Sequence, residues 1–343
     1  MGEKTGDGRR RILIILCIVL GIILALLLGV TIFAKSLLGR INYVTPEEQE
    51  TMSSEEIRDF LEGEREEDGE ATDPEMREDE VDWGGEVSQI AQSDGIVNIL
   101  LIGQDRRSGE TRARSDSMIL CTFNTKTKTL MLTSFLRDLY VQIPGYGSSR
   151  LNHAYAWGGM TLLNKTLEYN FGIHVDGNVE VDFTRFSQLV DLLGGVEIEL
   201  RSDEAKHINN GCGGSLTAGL CHLNGEEALN YARIRKLDNQ GDFGRTERQR
   251  KVITAILNKF KDSSLSTILN LLNQALPMIT TDMSQSQIVG YVTELFPLLS
   301  STTFGSQRVP ADGLYSNRSI DGMAVLVADM DATRQMLMNT LGE

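Results

Sequence analysis

The residues best suited to chemistry in this chain are arginines and aspartates, which recur in short motifs beside apolar runs. Three motifs are Arg-Ser-Asp-Ser at 114–117, Arg-Asp at 137–138 and Arg-Ile-Arg at 233–235, and a fourth is Gly-Asp-Phe-Gly-Arg-Thr-Glu-Arg-Gln at 241–249. A guanidinium group is a planar fork that matches phosphate oxygens. Neighbouring carboxylates can hold a divalent cation against the same phosphates. The motifs therefore predict a site for a phosphorylated substrate.

Other familiar kinds of catalytic site are absent from the sequence. It contains no Gly-x-Ser-x-Gly elbow, no His-Glu-x-x-His pair and no Walker phosphate loop. The four histidines are scattered, without the spacing of metal ligands. The arginines and aspartates are what remains.

The elements that must position these motifs alternate between strand and helix patterns, which predicts a single α/β layered domain over residues 95–343. Two glycine pairs, at 158–159 and 194–195, are expected to start or end helices. The predicted strands are 97–102, 117–124, 129–134, 178–182, 196–200 and 324–328, and the predicted helices are 160–169, 183–193, 226–233, 245–261, 263–276, 284–299 and 332–341.

An uncharged apolar run at 12–34 is long enough to cross a bilayer as a helix. Three arginines precede it, which favours a cytoplasmic N-terminus at 1–11 and an extracellular C-terminal body. The alternative is a cleaved signal peptide, but the run is longer than the apolar core of a usual signal peptide and no clear small-x-small cleavage site follows. We therefore expect a single-pass signal anchor.

The negative charge of the chain is concentrated in one stretch. Residues 46–87 contain 19 acidic and three basic residues, so their net charge of −16 accounts for the −15 of the whole chain. The remainder is nearly neutral and offers no broad basic face for nucleic acid. We expect 35–94 to be a disordered, self-repelling spacer that holds the domain off the membrane, rather than a specific binding tail.

Two cysteines, Cys212 and Cys221, flank a glycine-rich loop. In an exported domain such a pair predicts a disulfide that closes the loop. A zinc site that includes His222 is the alternative, although the second ligand pair of a zinc site is missing.

The motifs also stand in an order that resembles the LytR–CpsA–Psr family. The likeness runs from 98 to about 251 and continues more loosely to the C-terminus. The segments that carry it are Ile-Gly-Gln-Asp-Arg-Arg at 102–107, Arg-Ser-Asp-Ser-Met at 114–118, Thr-Ser-Phe-Leu-Arg-Asp at 133–138, Leu-Asn-His-Ala-Tyr-Ala-Trp-Gly-Gly at 151–159, Leu-Val-Asp-Leu-Leu-Gly-Gly-Val at 189–196, Leu-Asn-Gly-Glu-Glu-Ala-Leu at 223–229, Tyr-Ala-Arg-Ile-Arg at 231–235 and the 241–249 motif.

This resemblance implies an α/β/α domain that transfers a secondary cell-wall glycopolymer, of the teichoic acid or capsular polysaccharide type, from a polyprenyl-pyrophosphate carrier to peptidoglycan. The cation is expected to be Mg²⁺ (or Mn²⁺). The implied metal carboxylates are Asp105 and Asp116, which with Arg137 are the catalytic candidates. The implied pyrophosphate-binding residues are Arg107, Arg137, Arg233, Arg245 and Gln249, with Arg235 and Arg248 as further candidates.

Several readings stay open at this level. Arg137 and Asp138 are alternatively a local ion pair, and Arg233 and Arg235 are alternatively solvated. Asp138 and Asp242 are expected to orient arginines or cap turns rather than bind metal, and Arg250 is expected to be structural. An apolar set is expected to be core, with part of it as a possible groove for the isoprenoid; its members are Leu162, Leu163, Leu167, Phe171, Phe186, Leu189 and Leu193.

Two other functions are compatible with the same residues. One is a pyrophosphatase, in which water replaces the sugar acceptor. The other is a non-catalytic module that binds the lipid carrier or regulates. Transcriptional control is disfavoured because the sequence contains no DNA-binding motif.

The anchor prediction is tested by cell fractionation. The full chain should sediment with membranes and stay there through a high-salt wash, because residues 12–34 would be buried in lipid. A chain that begins at residue 35 should be soluble. Release of the full chain by salt, or an intact mass that lacks the first 34 or so residues, would contradict an uncleaved anchor.

Overall fold

A computed structural model of the chain describes residues 39, 42–49, 51–68, 72–90, 94–104, 115–237, 241–261, 263–264, 267, 270–271 and 274–342. The predicted anchor at 12–34 lies outside these residues, as do Asp105 and Arg107. None of the described helices is both long and apolar enough to cross a bilayer.

The described elements alternate between strands and helices, as the sequence pattern indicates. The strands are β1 (Asn42–Tyr43), β2 (Ile96–Gln104), β3 (Ser115–Asn124), β4 (Thr129–Phe135), β5 (Tyr140–Ile143), β6 (Gly147–Arg150), β7 (Gly177–Asp182), β8 (Val196–Leu200), β9 (Gly219–Leu223), β10 (Thr280–Thr281), β11 (Thr303–Val309), β12 (Tyr315–Ile320) and β13 (Met323–Ala328). The helices are α1 (Ser54–Asp68), α2 (Leu151–Phe171), α3 (Phe183–Leu192), α4 (Ser202–Cys212), α5 (Gly225–Arg233), α6 (Asp242–Lys261), α7 (Gln285–Leu295) and α8 (Met330–Leu341).

A mixed sheet forms the centre of the domain. Among the described residues its strand order is β1-β10-β7-β2-β3-β4-β11. Strand β3 is antiparallel to both β2 and β4, whereas β7 is parallel to β2 and β11 is parallel to β4. In the described part of the chain three two-stranded antiparallel pairs lie outside this sheet, namely β5–β6, β8–β9 and β12–β13. The α/β prediction is confirmed.

Helices cover both faces of the sheet because successive side chains of a strand point to opposite faces. Leu100 and Ile102 of β2 belong to a core that includes residues of α2 and α8. Leu101, between them, packs on the other face, in a core that includes Ile119 of β3 and Leu257 of α6. The sheet is therefore buried on both sides, and its strand ends are left to carry polar residues.

The helix expected at 160–169 starts nine residues earlier, at Leu151, because the glycine pair at 158–159 does not separate helix from loop. Gly159 has φ 62° and ψ −155°, so the helical stretch α2 is kinked there and then continues. That conformation is readily available only to glycine. The second pair behaves as expected, since Gly194 and Gly195 both have positive φ and follow the end of α3.

The expectation of a disordered spacer over 35–94 is wrong for the described part of that stretch. Residues 54–68 form α1, and Ile90 is 2% exposed in the main core, with its N–H donating to Gly172 O at 2.7 Å. Trp83 stacks on Tyr140 with ring centroids 5.8 Å apart. Isolated apolar residues among the acidic ones therefore pack on the domain and hold the segment there. The free energy gained by burying them outweighs the repulsion between neighbouring acidic side chains.

The expected disulfide is not formed, because Cys212 and Cys221 are both free thiols. Cys212 ends α4, and its Sγ lies 3.8 Å from Glu226 O. Cys221 lies in β9, and its Sγ lies 3.0 Å from Thr217 O. Burial, together with Glu226 and Glu227, raises the pKa of Cys212 and so disfavours its thiolate. Each thiol is directed to a separate carbonyl rather than to the other.

The packing of the N-terminal segment is tested by truncating one side chain. Ile90→Ala should lower the free energy of unfolding by about 2–4 kcal/mol, because it removes buried apolar volume. The control Val87→Ala should change it by less than about 1 kcal/mol, since Val87 is 37% exposed. Equal, negligible effects in denaturant titrations would mean that the segment does not pack.

Candidate functional site

The centre of the site is Arg137, which follows the end of β4. In the register of the antiparallel pair, Met118 of β3 lies opposite Phe135 of β4. Asp116 is two residues before Met118 and Arg137 is two residues after Phe135, so the two side chains meet at the same sheet edge. Arg137 Nη1 donates to Asp116 Oδ1 at 2.8 Å.

Asp242, at the start of α6, accepts hydrogen bonds from three arginines. Its Oδ2 accepts from Arg137 Nε at 3.1 Å and from Arg245 Nη2 at 3.0 Å, and its Oδ1 accepts from Arg235 Nε at 2.6 Å. The side chain is only 13% exposed. Burial would raise the pKa of Asp242, but Arg245, Arg137 and Arg235 hold it below its ordinary value. One carboxylate thus gathers guanidinium groups from three segments of the chain.

The charge cluster, defined as Asp116, Arg137, Asp138, Arg235, Asp242 and Arg245, keeps its guanidinium groups close together. Burial alone would lower the pKa of Arg137, but Asp138, Asp242 and Asp116 raise it above its ordinary value. Arg137 is therefore held in the charged form.

Arg245 is the deepest arginine of the charge cluster. Burial lowers its pKa, although Asp242 opposes the shift. Its Nη2 also donates to Asp116 O at 3.3 Å. Its buried Nε has no hydrogen-bond partner among the described residues. Because an unsatisfied buried donor is costly, this atom favours the arrival of an anion.

Asp138 links the charge cluster to Arg150, a residue that sequence reasoning did not single out. Burial raises the pKa of Asp138, against the opposing effect of Arg137 and Arg150. Arg150 Nε lies 3.9 Å from Asp138 Oδ1, and its Nη1 lies 3.7 Å from Glu64 of α1. Only the structure shows that Arg150 is buried at the end of β6 beside Asp138, so the sequence alone could not identify it as a site residue.

An apolar cavity of about 130 Å³ adjoins the charge cluster. Gln249 and Arg233 line it, and Ser117, next to Asp116, donates to Gln249 Oε1 at 3.1 Å. The Arg233 guanidinium lies 4.6 Å from the centroid of the Phe183 ring. The apolar lining comes from the sheet and from α3, α5 and α6, namely Leu101, Ile102, Ile119, Val179, Val181, Phe183, Phe186, Leu229, Ala232, Val252 and Ile253.

The apolar set expected to be core or groove divides between the two faces of the sheet. Leu162, Leu163, Leu167 and Phe171 are buried in the core under α2. Phe186, by contrast, lines the apolar cavity. The four members on α2 are therefore core, as expected, and a groove for the isoprenoid stays a prediction for Phe186.

The structure brings together some of the sequence-predicted residues and separates others. Asp116, Arg137, Arg235 and Arg245 meet directly in the charge cluster, and Arg233 and Gln249 line the adjoining cavity. Arg248 points elsewhere: its Nε donates to Glu204 Oε1 at 2.9 Å, and both side chains are 3% exposed. Arg250 is also buried, and burial lowers its pKa to about 10.

Acidic residues of the site are used mainly to hold arginines. Both oxygens of Asp242 accept from guanidinium groups, and one oxygen of Asp116 does so. The described residues contain no group of three or more His, Cys, Asp or Glu that could hold a metal ion. Mg²⁺ is often bound by only one or two carboxylates together with substrate phosphates. The exposed face of Asp116 fits that kind of site, and Asp105 lies outside the described residues.

Known proteins are similar to this chain in sequence and in fold. Residues 60–341 match the model of the LytR_cpsA_psr family. The chain is 33% identical over 268 residues to the polyisoprenyl-teichoic acid–peptidoglycan teichoic acid transferase TagU of Bacillus mycoides strain KBAB4, which covers 78% of this chain and 84% of that protein.

Two solved structures are similar in fold as well as in sequence. TagT bound to LIIa-WTA has a TM-score of 0.60 and 33% identity, covering 73% of this chain and 92% of that chain. The LytR-CPS2A-psr family protein YwtF (TagT) with bound octaprenyl pyrophosphate lipid has a TM-score of 0.56 and 30% identity, covering 77% and 96%.

The shared carboxylate is tested by Asp242→Asn, which keeps the shape and removes the charge. The variant should lose about 2–4 kcal/mol of stability near pH 7, because three arginines lose their common partner. The folded-state pKa of Asp242 is lowered, so its contribution is complete above about pH 4 and is lost as the pH falls through that lower value.

The measurement is the free energy of unfolding of both proteins as a function of pH. The difference between them should shrink below about pH 4. The control Asp312→Asn should be nearly neutral, since the Asp312 side chain is 92% exposed although it pairs with Arg308. A difference that stays constant through the acid range would contradict the role of the Asp242 charge.

Proposed function

The chain belongs to the LytR–CpsA–Psr family, and from this premise we propose that it transfers a glycopolymer from a polyprenyl-pyrophosphate carrier to peptidoglycan. One observation carries the proposal: an apolar cavity lies beside the charge cluster, since its lining includes Ser117, which follows Asp116, and Gln249, which is one helical turn after Arg245. A polyprenyl pyrophosphate has the same two parts, a multiply charged head and an apolar tail. The polymer is of the teichoic acid or capsular polysaccharide type.

The cavity and the charge cluster divide the work of binding. Apolar side chains from the sheet and from α3, α5 and α6 take the isoprenoid, and its burial contributes to affinity roughly in proportion to area. Arg137, Arg235 and Arg245 donate to the pyrophosphate oxygens. Asp242 gathers these guanidinium groups in advance, which reduces the reorganisation needed when the anion arrives.

In the transfer step, an acceptor hydroxyl of peptidoglycan attacks the phosphorus next to the sugar. A new P–O bond forms to that oxygen, the P–O bond to the bridging oxygen breaks, and polyprenyl monophosphate leaves with the electron pair. The hydroxyl proton passes to a carboxylate of the site, Asp105 or Asp116, whichever of the two is not holding the cation. Arg137 and Arg245 stabilise the charge that develops on the departing phosphate.

A divalent cation, Mg²⁺ or Mn²⁺, is part of the proposal. Asp116 or Asp105 would hold it, and the ion would neutralise phosphate charge. The site faces the outside of the cell, because the run at 12–34 anchors the chain with residues 1–11 in the cytoplasm.

The test is a transfer assay with the full chain in detergent, a polyprenyl-pyrophosphate saccharide as donor and peptidoglycan fragments as acceptor. Arg137→Ala should lower the rate about 100- to 1,000-fold, the usual loss when one stabilising donor is removed from an active site. The control Arg58→Ala should retain full activity, because Arg58 is an exposed arginine of α1 whose side chain is 65% exposed.

The products separate the proposed function from its competitors. Acceptor-linked sugar phosphate that depends on Arg137 supports the transferase. Free sugar phosphate alone, whether or not acceptor is present, would mean a pyrophosphatase. Tight binding of the donor without turnover would mean a binding or regulatory module.

A further inference from the structure

A second cavity adjoins the charge cluster and shares no lining residue with the apolar cavity. Its volume is about 500 Å³, within the range of roughly 300–1,000 Å³ that is usual for ligand pockets. Asp138, Arg235 and Asp242 of the charge cluster form one end of it. The charge cluster therefore borders two cavities of different character. We call the second one the polar groove; its other lining residues are Asp73, Leu136, Lys236, Gly241, Phe243, Asn317, Ala324, Val325 and Leu326.

One wall of the polar groove comes from the N-terminal segment that the charge pattern had predicted to be a spacer. Ser319 of β12 donates through its N–H to Pro74 O at 2.9 Å, and Met76 N–H donates back to Ser319 O at 2.9 Å. These two backbone bonds place Asp73 beside Asn317, which is two residues before Ser319. The wall is therefore part of the fold.

The side chains that line the polar groove include both hydrogen-bonding groups and an aromatic ring. Asp73 supplies acceptors, Lys236 supplies donors and Asn317 supplies both. Phe243, on the first turn of α6, is held by Tyr315, with ring centroids 5.2 Å apart, and by the Arg308 guanidinium 4.3 Å from its centroid. A saccharide presents the matching surface, with hydroxyl groups around the ring edge and apolar C–H faces.

The charges of the polar groove exclude the other parts of the proposed substrate. Asp138, Arg235 and Asp242 are paired within the charge cluster, and the opposite charges of Asp73 and Lys236 cancel, so the groove has no surplus positive charge for a second phosphate. An isoprenoid would cover the charged groups of Asp73 and Lys236, and burying them under an apolar chain is costly. A neutral, polyhydroxylated ligand needs no compensating charge and can hydrogen-bond to the charged groups instead of burying them.

We propose that the polar groove binds saccharide and holds it with its hydroxyl groups at the charge cluster. The inference rests on the proposed function and deepens it, since the saccharide is either that of the peptidoglycan acceptor or that of the donor polymer. In both cases the sugar lies in the polar groove while the isoprenoid lies in the apolar cavity. Asp73 and Asn317 are then specificity residues rather than catalytic ones.

The kinetic experiment uses the full chain in detergent with Asp73→Ala, Asn317→Ala and the double variant. The double variant should raise KM at least 10-fold for one saccharide substrate and leave kcat within about twofold, because the charge cluster is intact. A raised KM for the peptidoglycan fragment assigns the polar groove to the acceptor, and a raised KM for the donor assigns it to the donor saccharide. Both results support a saccharide site.

Matched controls remove an equivalent side chain from elsewhere on the surface. Asp59→Ala in α1 and Asn339→Ala in α8 change exposed residues outside the polar groove, and both should keep wild-type KM values. If the double variant keeps both KM values while its thermal unfolding matches that of the wild type, the proposal is overturned.

A binding measurement separates this inference from the proposed function. Saturation-transfer NMR with a lipid-free peptidoglycan disaccharide, and separately with the saccharide released from the donor, needs no turnover. Sugar signals with the wild type that vanish with the double variant support the polar groove even if no transfer is detected, in which case only the proposed function fails. Absence of signals from both saccharides with the wild type overturns the inference.

Discussion

The site depends on the sharing of one buried carboxylate by three guanidinium groups. Arg137 follows a strand of the central sheet, Arg235 follows α5 and Arg245 lies in α6, so nothing in the local chain brings them together. Asp242 accepts from all three at 2.6–3.1 Å. Without it, three like charges within a partly buried space would repel one another and separate. The carboxylate thus maintains a concentration of positive charge that an anionic substrate can use.

Two cavities lie beside that charge, and only the second has charged and amide groups of Asp73, Lys236 and Asn317 among its apolar side chains. The difference between them follows from the elements that build them. The apolar cavity lies between the sheet and the helices α3, α5 and α6, where buried strand side chains must face other apolar groups. The polar groove is bounded by the β12–β13 hairpin with Asn317, the N-terminal segment with Asp73, the segment after α5 with Lys236, and the start of α6. The proposed substrate has an apolar tail, a charged junction and a saccharide. The apolar cavity, the charge cluster and the polar groove are environments suited to these three parts in turn.

Much of the fold follows from local pattern, and the strand at Val196–Leu200 agrees with its predicted bounds. The meeting of Asp116 with Arg137 is also within reach of sequence reasoning, since both flank adjacent strands. The expectation that Asp242 orients arginines is confirmed, but its bond to Arg137, 105 residues away in the chain, could be found only from the fold. The prediction of a disordered spacer was wrong for the described part of the acidic stretch because it rested on charge repulsion alone. The burial of single apolar residues such as Ile90 was not taken into account. The prediction of a Cys212–Cys221 disulfide was wrong for a related reason. Two cysteines that are near in sequence need not have side chains that point towards each other.

The central claim is that the charge cluster recognises a pyrophosphate while the adjoining cavity accepts an isoprenoid. The most direct measurement is the equilibrium affinity of the full chain for a short polyprenyl pyrophosphate and for the corresponding polyprenol. The account predicts that the pyrophosphate binds at least about 100-fold more tightly, which corresponds to roughly 2.7 kcal/mol, and that this advantage disappears when Arg137 and Arg245 are both replaced by Gln. Equal affinity for the pyrophosphate and the alcohol, or an advantage that survives the double replacement, would contradict it.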